Sequence, residues 1–124
     1  MKSYDVVIVG GGPSGLVTGM TTKKLYPNKS VLIINEEKKG LVPCGIPYVF
    51  HDLDSVEKNE MGLKPFSDAG GELLFSRVEQ VDPEAKSLYL HSGEIIAYKK
   101  LVFATVSVPV EPRSIRGSDV DGVE

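Results

Sequence analysis

The residues best suited to chemistry in this sequence are a single cysteine and a group of glycines near the amino terminus. Cys44 lies in the stretch PCGIPY, where Pro43 precedes it and Gly45 follows it. An ionised thiol is a nucleophile that can form a mixed disulfide, a persulfide or a sulfenic acid. A lone cysteine is more often a small buried apolar residue than a nucleophile. From the residues alone, a purely structural role for Cys44 is therefore the alternative.

The glycines form a pattern associated with phosphate binding. Gly10, Gly12 and Gly15 fit G-x-G-x-x-G, with Pro13 and Ser14 at the start of a predicted helix. The first glycine permits a tight turn, the second lets the backbone approach a pyrophosphate, and the third allows close helix packing. The pattern therefore predicts a dinucleotide site at a helix amino terminus, with a glycine-rich turn that only packs well as the alternative.

The same fingerprint expects an acidic residue about twenty positions further on, where it binds ribose hydroxyls. Asn35 occupies this position here, and Glu36 and Glu37 follow it. An asparagine amide can also bond to a hydroxyl, and a small shift in the strand end would bring Glu36 into the role. Both Asn35 and Glu36 are candidates, and solvated loop charges are the alternative for the two glutamates.

The elements that must position these residues form a βαβ unit. The glycines follow an apolar strand at 6–9 and open a helix from 13 to about 26. A second apolar strand follows at 30–35. The crossover between the parallel strands should be right-handed. The predicted buried stripe of the helix consists of Leu16, Val17, Met20 and Leu25.

The remaining pattern predicts a short helix at 47–53 and a small antiparallel meander. Pro47 fits a first helical turn, which would place Cys44 at or just before a helix amino terminus, where the helix dipole favours a thiolate. The meander is predicted from short β-rich runs at 72–76, 77–82, 87–92 and 94–98, and a buried strand follows at 100–105. The fold class is thus α/β, with a Rossmann-like βαβ unit, a parallel sheet and a meander.

Composition restricts the partners. The 124 residues carry a net charge of −3 without a long basic run, so nothing favours nucleic-acid binding. The sequence contains no apolar run of membrane-spanning length and no signal-peptide core, which predicts a cytoplasmic protein without a membrane partner. One cysteine cannot form an internal disulfide, in agreement with a reducing compartment. We predict no metal site.

Three motifs together resemble a known family. The glycine fingerprint, the PCGIPY stretch and the segment GEIIAYKKLVFATVSVP at 93–109 are similar to the single-cysteine branch of the pyridine nucleotide-disulfide oxidoreductases. That branch includes coenzyme A disulfide reductases, NADH oxidases and persulfide reductases. The resemblance implies FAD in the first site, NAD(P)H as co-substrate of the full-length enzyme, and Cys44 as the redox-active sulfur. It also implies cofactor contacts from Pro43, Val78, Ala104 and Thr105.

The resemblance implies a small-molecule disulfide, persulfide or oxygen species as electron acceptor. Two-cysteine relatives have a second thiol where this chain has Val49, so the other sulfur must come from substrate. The resemblance spans roughly residues 4–112, and it implies that 1–112 form the amino-terminal part of an FAD-binding domain and that 113–124 form a linker toward an NAD(P)H-binding domain. We therefore expect a homodimeric full-length form and no NADH turnover by this chain alone. A generic dinucleotide-binding module or a non-catalytic fragment is the alternative.

One departure from the family concerns the cofactor directly. Val106 follows Ala104 and Thr105 where relatives have glycine. Glycine at such a turn either adopts a positive φ or leaves room for a ligand. A valine there would be strained if its φ were positive, so we expect that either the backbone has adjusted or flavin binding is impaired.

Overall fold

The computed structural model describes residues 1–107, 110, 114–117 and 120. Most of the predicted linker 113–124 therefore lies outside the described residues. The elements of the described part are, in chain order, β1 (Lys2–Val9), α1 (Pro13–Leu25), β2 (Val31–Asn35), β3 (Gly40–Leu41), a first 3₁₀ helix (Pro43–Phe50), a second 3₁₀ helix (Val56–Asn59), β4 (Glu60–Met61), α2 (Lys64–Asp68), β5 (Glu72–Phe75), β6 (Val78–Asp82), β7 (Ser87–Leu90) and β8 (Ile95–Phe103).

Six strands form the central sheet, in the order β5-β2-β1-β8-β7-β6. The first four strands in this order are parallel, whereas β8, β7 and β6 form antiparallel pairs. The arrangement of the parallel strands matches one half of a Rossmann sheet. The predicted α/β fold with a parallel sheet and a meander is therefore confirmed.

Both faces of β1 and β2 are buried, which explains the continuous apolar sequences of these two strands. Side chains alternate between the two faces along each strand. Val7 and Leu32 pack on the face that also contacts β7, whereas Ile8 and Ile33 pack on the face covered by Phe66. Each face has its own hydrophobic cluster, and β1 and β2 contribute to both.

Helix α1 approaches the sheet through glycines. Its two buried residues are Gly15 and Gly19, and Leu16 and Met20 pack beside them. The predicted stripe was wrong for two residues, because Val17 is 64% exposed and Leu25 63% exposed. A methyl group on Gly19 would come within 2.8 Å of the Phe66 ring, so the small residues allow the helix to pack closely against that side chain.

The placement of β5 differs from the prediction. Residues 72–76 were expected in the antiparallel meander, but β5 pairs in parallel with β2 at the edge of the sheet. The short helix α2 supplies the crossover, and its Phe66 is completely buried between α1 and Gly71. The four residues of β5, ELLF, are too few to carry a local signal for the partner strand, so the sequence pattern did not show this pairing.

The two strands predicted at 94–98 and 100–105 are one continuous strand, β8. Its first residues pair with β7, and residues 96–103 pair in parallel with β1. The pair Lys99 and Lys100 does not interrupt the strand because both side chains are exposed. Lys99 Nζ donates to Asp5 Oδ1 at 2.8 Å and, with the hydrogen bonds from Ser30, holds the pKa of Asp5 below its usual range.

The alkaline limit of stability should depend on Tyr4. Burial, a 2.7 Å hydrogen bond to Glu72 Oε2 and the charges of Glu72 and Glu94 raise its pKa to about 12. An unfolded tyrosine loses its proton near pH 10, so the Tyr4 contribution is complete below about pH 10 and is lost as pH rises toward 12. We expect Tyr4→Phe to lose less unfolding free energy over this interval, as measured by urea denaturation at a series of pH values. Parallel pH profiles for the two proteins would contradict this.

Candidate functional site

In the turn between β1 and α1, contacts within the protein itself leave no room for a side chain at two of the glycines. Gly10 has a φ of +111°, and a side chain on it would overlap the Ala104 carbonyl. A side chain on Gly15 would overlap the carbonyl oxygen of Gly10. Gly12 is different, because a methyl group there would meet only Val106 Cγ1, at 3.8 Å. The protein leaves space beside Gly12 that its own atoms do not need.

That space lies at the amino terminus of α1. Gly12 is the N-cap and receives no side-chain cap, and the first helical hydrogen bond runs from Leu16 N to Gly12 O at 2.9 Å. Within the described residues, the N–H groups of Gly12, Ser14 and Gly15 have no protein acceptor. Free N–H groups and the partial positive charge of the helix end favour an anion such as a phosphate.

A cavity of about 610 Å³ opens at the carboxyl ends of the parallel strands, next to this turn. Ligands bind at this position in open α/β sheets, and the volume is within the usual range of ligand sites. The predicted site residues in its wall are Gly10, Gly12, Pro13, Asn35, Glu36, Pro43, Val78 and Thr105. The cavity therefore collects residues from the turn, from the loops after β2, β5 and β8, and from the segment that carries the cysteine.

Four predicted site residues are not part of the cavity wall. Gly15 and Ala104 are buried behind the turn, where they pack against each other. Ser14 is exposed on the first turn of α1, and Cys44 is exposed immediately after Pro43. The structure therefore places the sulfur next to a wall residue, not in the wall.

Asn35 and Glu36 lie side by side at the end of β2 but make different contacts. Asn35 Oδ1 accepts a hydrogen bond from Gly11 N at 2.9 Å, and Asn35 Nδ2 donates to Glu37 O at 2.6 Å. The amide thus joins the glycine turn to the loop after β2. Glu36 is exposed at the cavity, with Oε1 3.9 Å from Arg77 Nη1. The carboxylate is therefore the group that a ligand can reach.

The stretch of chain around Cys44 forms a helix that begins earlier than predicted. A 3₁₀ helix covers Pro43–Phe50 instead of a helix at 47–53, with Val42 as N-cap and Pro43 in the first turn. The prediction placed the start at Pro47, but Pro43 suits a first helical position equally well because neither proline has an N–H to leave unpaired. Cys44 therefore lies in the first turn of this helix.

Several residues of the cavity wall were not predicted from the sequence. Gly40, Leu41 and Met61 come from the two-residue strands β3 and β4, which are too short to show periodicity. Leu63 comes from the N-cap of α2, and Arg77 from the β5–β6 connection. The sequence signal at Leu63 was the following Lys64-Pro65 pair, since proline commonly opens a helix.

Val106 is not strained. In the described part of the chain, the non-glycine residues with positive φ are Asp54 and Lys86, so the backbone at Val106 does not have the positive φ that would strain a valine. Its side chain is 76% exposed and contributes to the cavity wall near Gly12. Any effect of Val106 on a bound ligand would therefore come from the volume of its side chain and not from its backbone.

Comparison with known proteins agrees with the geometry. The sequence profile of the pyridine nucleotide-disulphide oxidoreductases matches residues 4–123. The chain belongs to this family. Members of the family use FAD together with NAD(P)H. The predicted family resemblance and the predicted FAD are thereby confirmed at the level of the family.

Individual relatives share the fold over most of this chain. Peroxisomal monodehydroascorbate reductase 4 of Arabidopsis thaliana is 29% identical over 98% of the chain and 28% of the relative. The sulfide:quinone oxidoreductase structure from Aquifex aeolicus is 26% identical with a TM-score of 0.78, covering 89% of this chain and 25% of that one. An NAD-dependent persulfide reductase from A. fulgidus, 24% identical, superposes with a TM-score of 0.79 over 95% of this chain and 24% of that one.

This pyridine nucleotide-disulphide oxidoreductase chain thus spans about a quarter of the length of these relatives. The residues present fit the diphosphate of FAD, because the open space at Gly12 faces free N–H groups at a helix amino terminus. In the described part, no helix has the length and apolar character needed to cross a bilayer.

Removing the Val106 side chain should strengthen flavin binding. We expect Val106→Gly to lower the FAD dissociation constant by up to about tenfold, because the side chain narrows the cavity beside Gly12. Val106→Ala should give an intermediate value. Fluorescence titration of the flavin-free protein measures the constants, and three equal affinities would contradict a steric role for this residue.

Proposed function

We propose that this chain is the amino-terminal part of the FAD-binding domain of an NAD(P)H-dependent enzyme that reduces a disulfide, a persulfide or polysulfide, or an oxygen species through Cys44. The observation that carries the proposal is the open space at Gly12, over free helix N–H groups, in a cavity that reaches Pro43. The electron acceptor would be a small molecule, and the full-length protein a cytoplasmic homodimer. By itself the chain would not turn over NADH.

The cavity residues divide into groups suited to different parts of FAD. The N–H groups of Gly12, Ser14 and Gly15 would hold the diphosphate, and the Glu36 carboxylate would accept hydrogen bonds from ribose hydroxyls. Val78 would border the adenine. Pro43 and Thr105 would border the flavin end. When bound, FAD would supply two-electron chemistry between a nicotinamide and a sulfur.

Cys44 would provide the nucleophile. Its thiolate would attack one sulfur of a disulfide, forming a new S–S bond to the substrate and releasing the other sulfur as a thiolate. The chain has no second cysteine to resolve this mixed disulfide. Two electrons, ultimately from NAD(P)H, and one proton would convert it to the Cys44 thiolate and a substrate thiol.

Two observations favour this function over a dinucleotide-binding module with a structural cysteine. Cys44 is exposed, which a cysteine retained for packing would not be. The Aquifex aeolicus relative is named for sulfide, so a sulfur substrate agrees with at least one similar protein. In the alternative, a bound dinucleotide would not change the reactivity of the Cys44 thiol.

The decisive experiment combines FAD titration with alkylation of Cys44. We expect the purified chain to bind FAD, and saturating FAD to slow the reaction of Cys44 with iodoacetamide about tenfold or more by covering the thiol. Cys44→Ser should bind FAD with similar affinity and show no labelling. Absence of flavin binding would overturn the proposal. Binding without protection of Cys44 would favour the generic dinucleotide module.

A further inference from the structure

The segment that carries Cys44 is fixed by a buried polar residue from a distant part of the chain. Asn59, the last residue of the second 3₁₀ helix, is only 4% exposed. Its Nδ2 donates to Val42 O at 3.1 Å, and its backbone oxygen accepts from Val42 N at 3.0 Å. Val42 is thereby bound on both its N–H and its carbonyl group, one residue before the cavity wall begins at Pro43.

The same side chain also meets the residue after the cysteine. A methyl group on Gly45 would overlap Asn59 Oδ1 and would lie 2.9 Å from Asn59 Cγ. Gly45 N donates to Val42 O at 2.9 Å, which closes the turn around Pro43 and Cys44. Asn59 therefore contacts the segment on both sides of the cysteine, and the glycine at 45 is required by this contact.

The polar side chain of Asn59 indicates that this residue positions its neighbours and does more than fill space. Burying an amide is favourable only when its hydrogen bonds are made, and an apolar side chain would fill the same volume at lower cost. Asn59 does not line the cavity, so it has no direct role in holding a ligand. Among the described residues, both hydrogen bonds of Asn59 given above are made with Val42, and its Oδ1 lies against Gly45. We call residues 42–45 the cysteine segment.

We infer that Asn59 is a positioning residue that fixes the cysteine segment beside the cavity. This inference rests on the proposed function, because it gives the fixed position of Cys44 a purpose. Without the amide, the Val42 carbonyl keeps only the hydrogen bond from Gly45 N, so the turn is held more weakly and opens more often. Cys44 would then occupy many positions relative to a bound flavin, while the diphosphate site at α1 would be unaffected.

The test uses two variants of the contact and one matched control. Asn59→Ala removes the amide, and Gly45→Ala displaces it without removing it. Ser87→Ala is the control, since Ser87 is the other buried polar residue in the described part of the chain and donates to Ala85 O, at 3.2 Å, in the meander. Hydrogen exchange, FAD affinity and alkylation of Cys44 are measured for each protein.

In flavin-free protein, we expect exchange in the cysteine segment to accelerate about tenfold in Asn59→Ala and in Gly45→Ala, from the loss of about one net hydrogen bond, with the central sheet unchanged. FAD affinity should stay within about twofold of wild type, while protection of Cys44 by FAD falls toward none. Ser87→Ala should retain full protection. Combining Asn59→Ala with Gly45→Ala should add little to either change, because both act on one contact.

Four results would overturn the inference. Unchanged exchange in the cysteine segment would show that Asn59 does not hold it. Faster exchange throughout the sheet, or loss of FAD affinity together with protection, would show a general structural role. Unchanged protection in Asn59→Ala with normal FAD affinity would show that the fixed position is unnecessary. If wild-type protein fails to bind FAD, the proposed function fails, and the exchange data still decide whether Asn59 fixes the cysteine segment.

Discussion

Gly12→Ala should leave the fold intact and weaken FAD binding by at least about tenfold, the effect of losing one hydrogen bond to a charged group. The added methyl group fits the protein itself, since its nearest contact is Val106 Cγ1 at 3.8 Å. It would occupy the space beside the free N–H groups at the start of α1 that we assign to the diphosphate. The measurements are FAD titration and thermal unfolding of the flavin-free protein.

Gly15→Ala is the matched control for this prediction. A methyl group on Gly15 would overlap the Gly10 carbonyl oxygen, so we expect a lower melting temperature even without flavin. The two glycines belong to one motif and receive the same substitution, but only one of them should be tolerated by the fold. Wild-type FAD affinity in Gly12→Ala would remove the main argument for a diphosphate at this turn.

Phe66→Ala should destabilise the protein by about 3–5 kcal/mol, a large fraction of the 5–15 kcal/mol typical of a domain. Phe66 is fully buried in the cluster with Ile8, Ile33 and Ala104, between Gly19 of α1 and Gly71. Glycines on both sides cannot extend to fill the cavity that the ring would leave. Urea denaturation measures the change in the free energy of unfolding.

The control for this prediction is Phe50→Ala, which removes an equal side chain that is 90% exposed. We expect a change within about 0.5 kcal/mol for this substitution. If both variants lost the same stability, the ring of Phe66 would not be the element that joins α1 and α2. An intact protein after Phe66→Ala would indicate that α2 collapses onto α1 without cost.

Much of the site followed from short stretches of sequence. The G-x-G-x-x-G spacing identified the turn, and the structure accounts for Gly10 and Gly15 by contacts within that turn and with Ala104. Glu36 was predicted as a site residue from the glycine fingerprint, and Pro43 and Val78 from the family resemblance, and the cavity wall includes all three. Whether they bind flavin stays a prediction. The sequence did not show which of Asn35 and Glu36 bonds to the glycine turn and which is free to reach a ligand, because their order along the chain does not reveal which side chain faces the turn.

The sequence by itself determined the βαβ unit, the glycine turn and the presence of one thiol, because each depends on sterics and hydrogen bonds among residues close in the chain. Only the tertiary structure decided that β5 pairs with β2, that Phe66 joins the two helices, and that Asn59 meets Gly45. These contacts join segments that are too short to show a periodic pattern of apolar residues. Their pairing depends on which surfaces the fold brings together, so no local preference could have specified it.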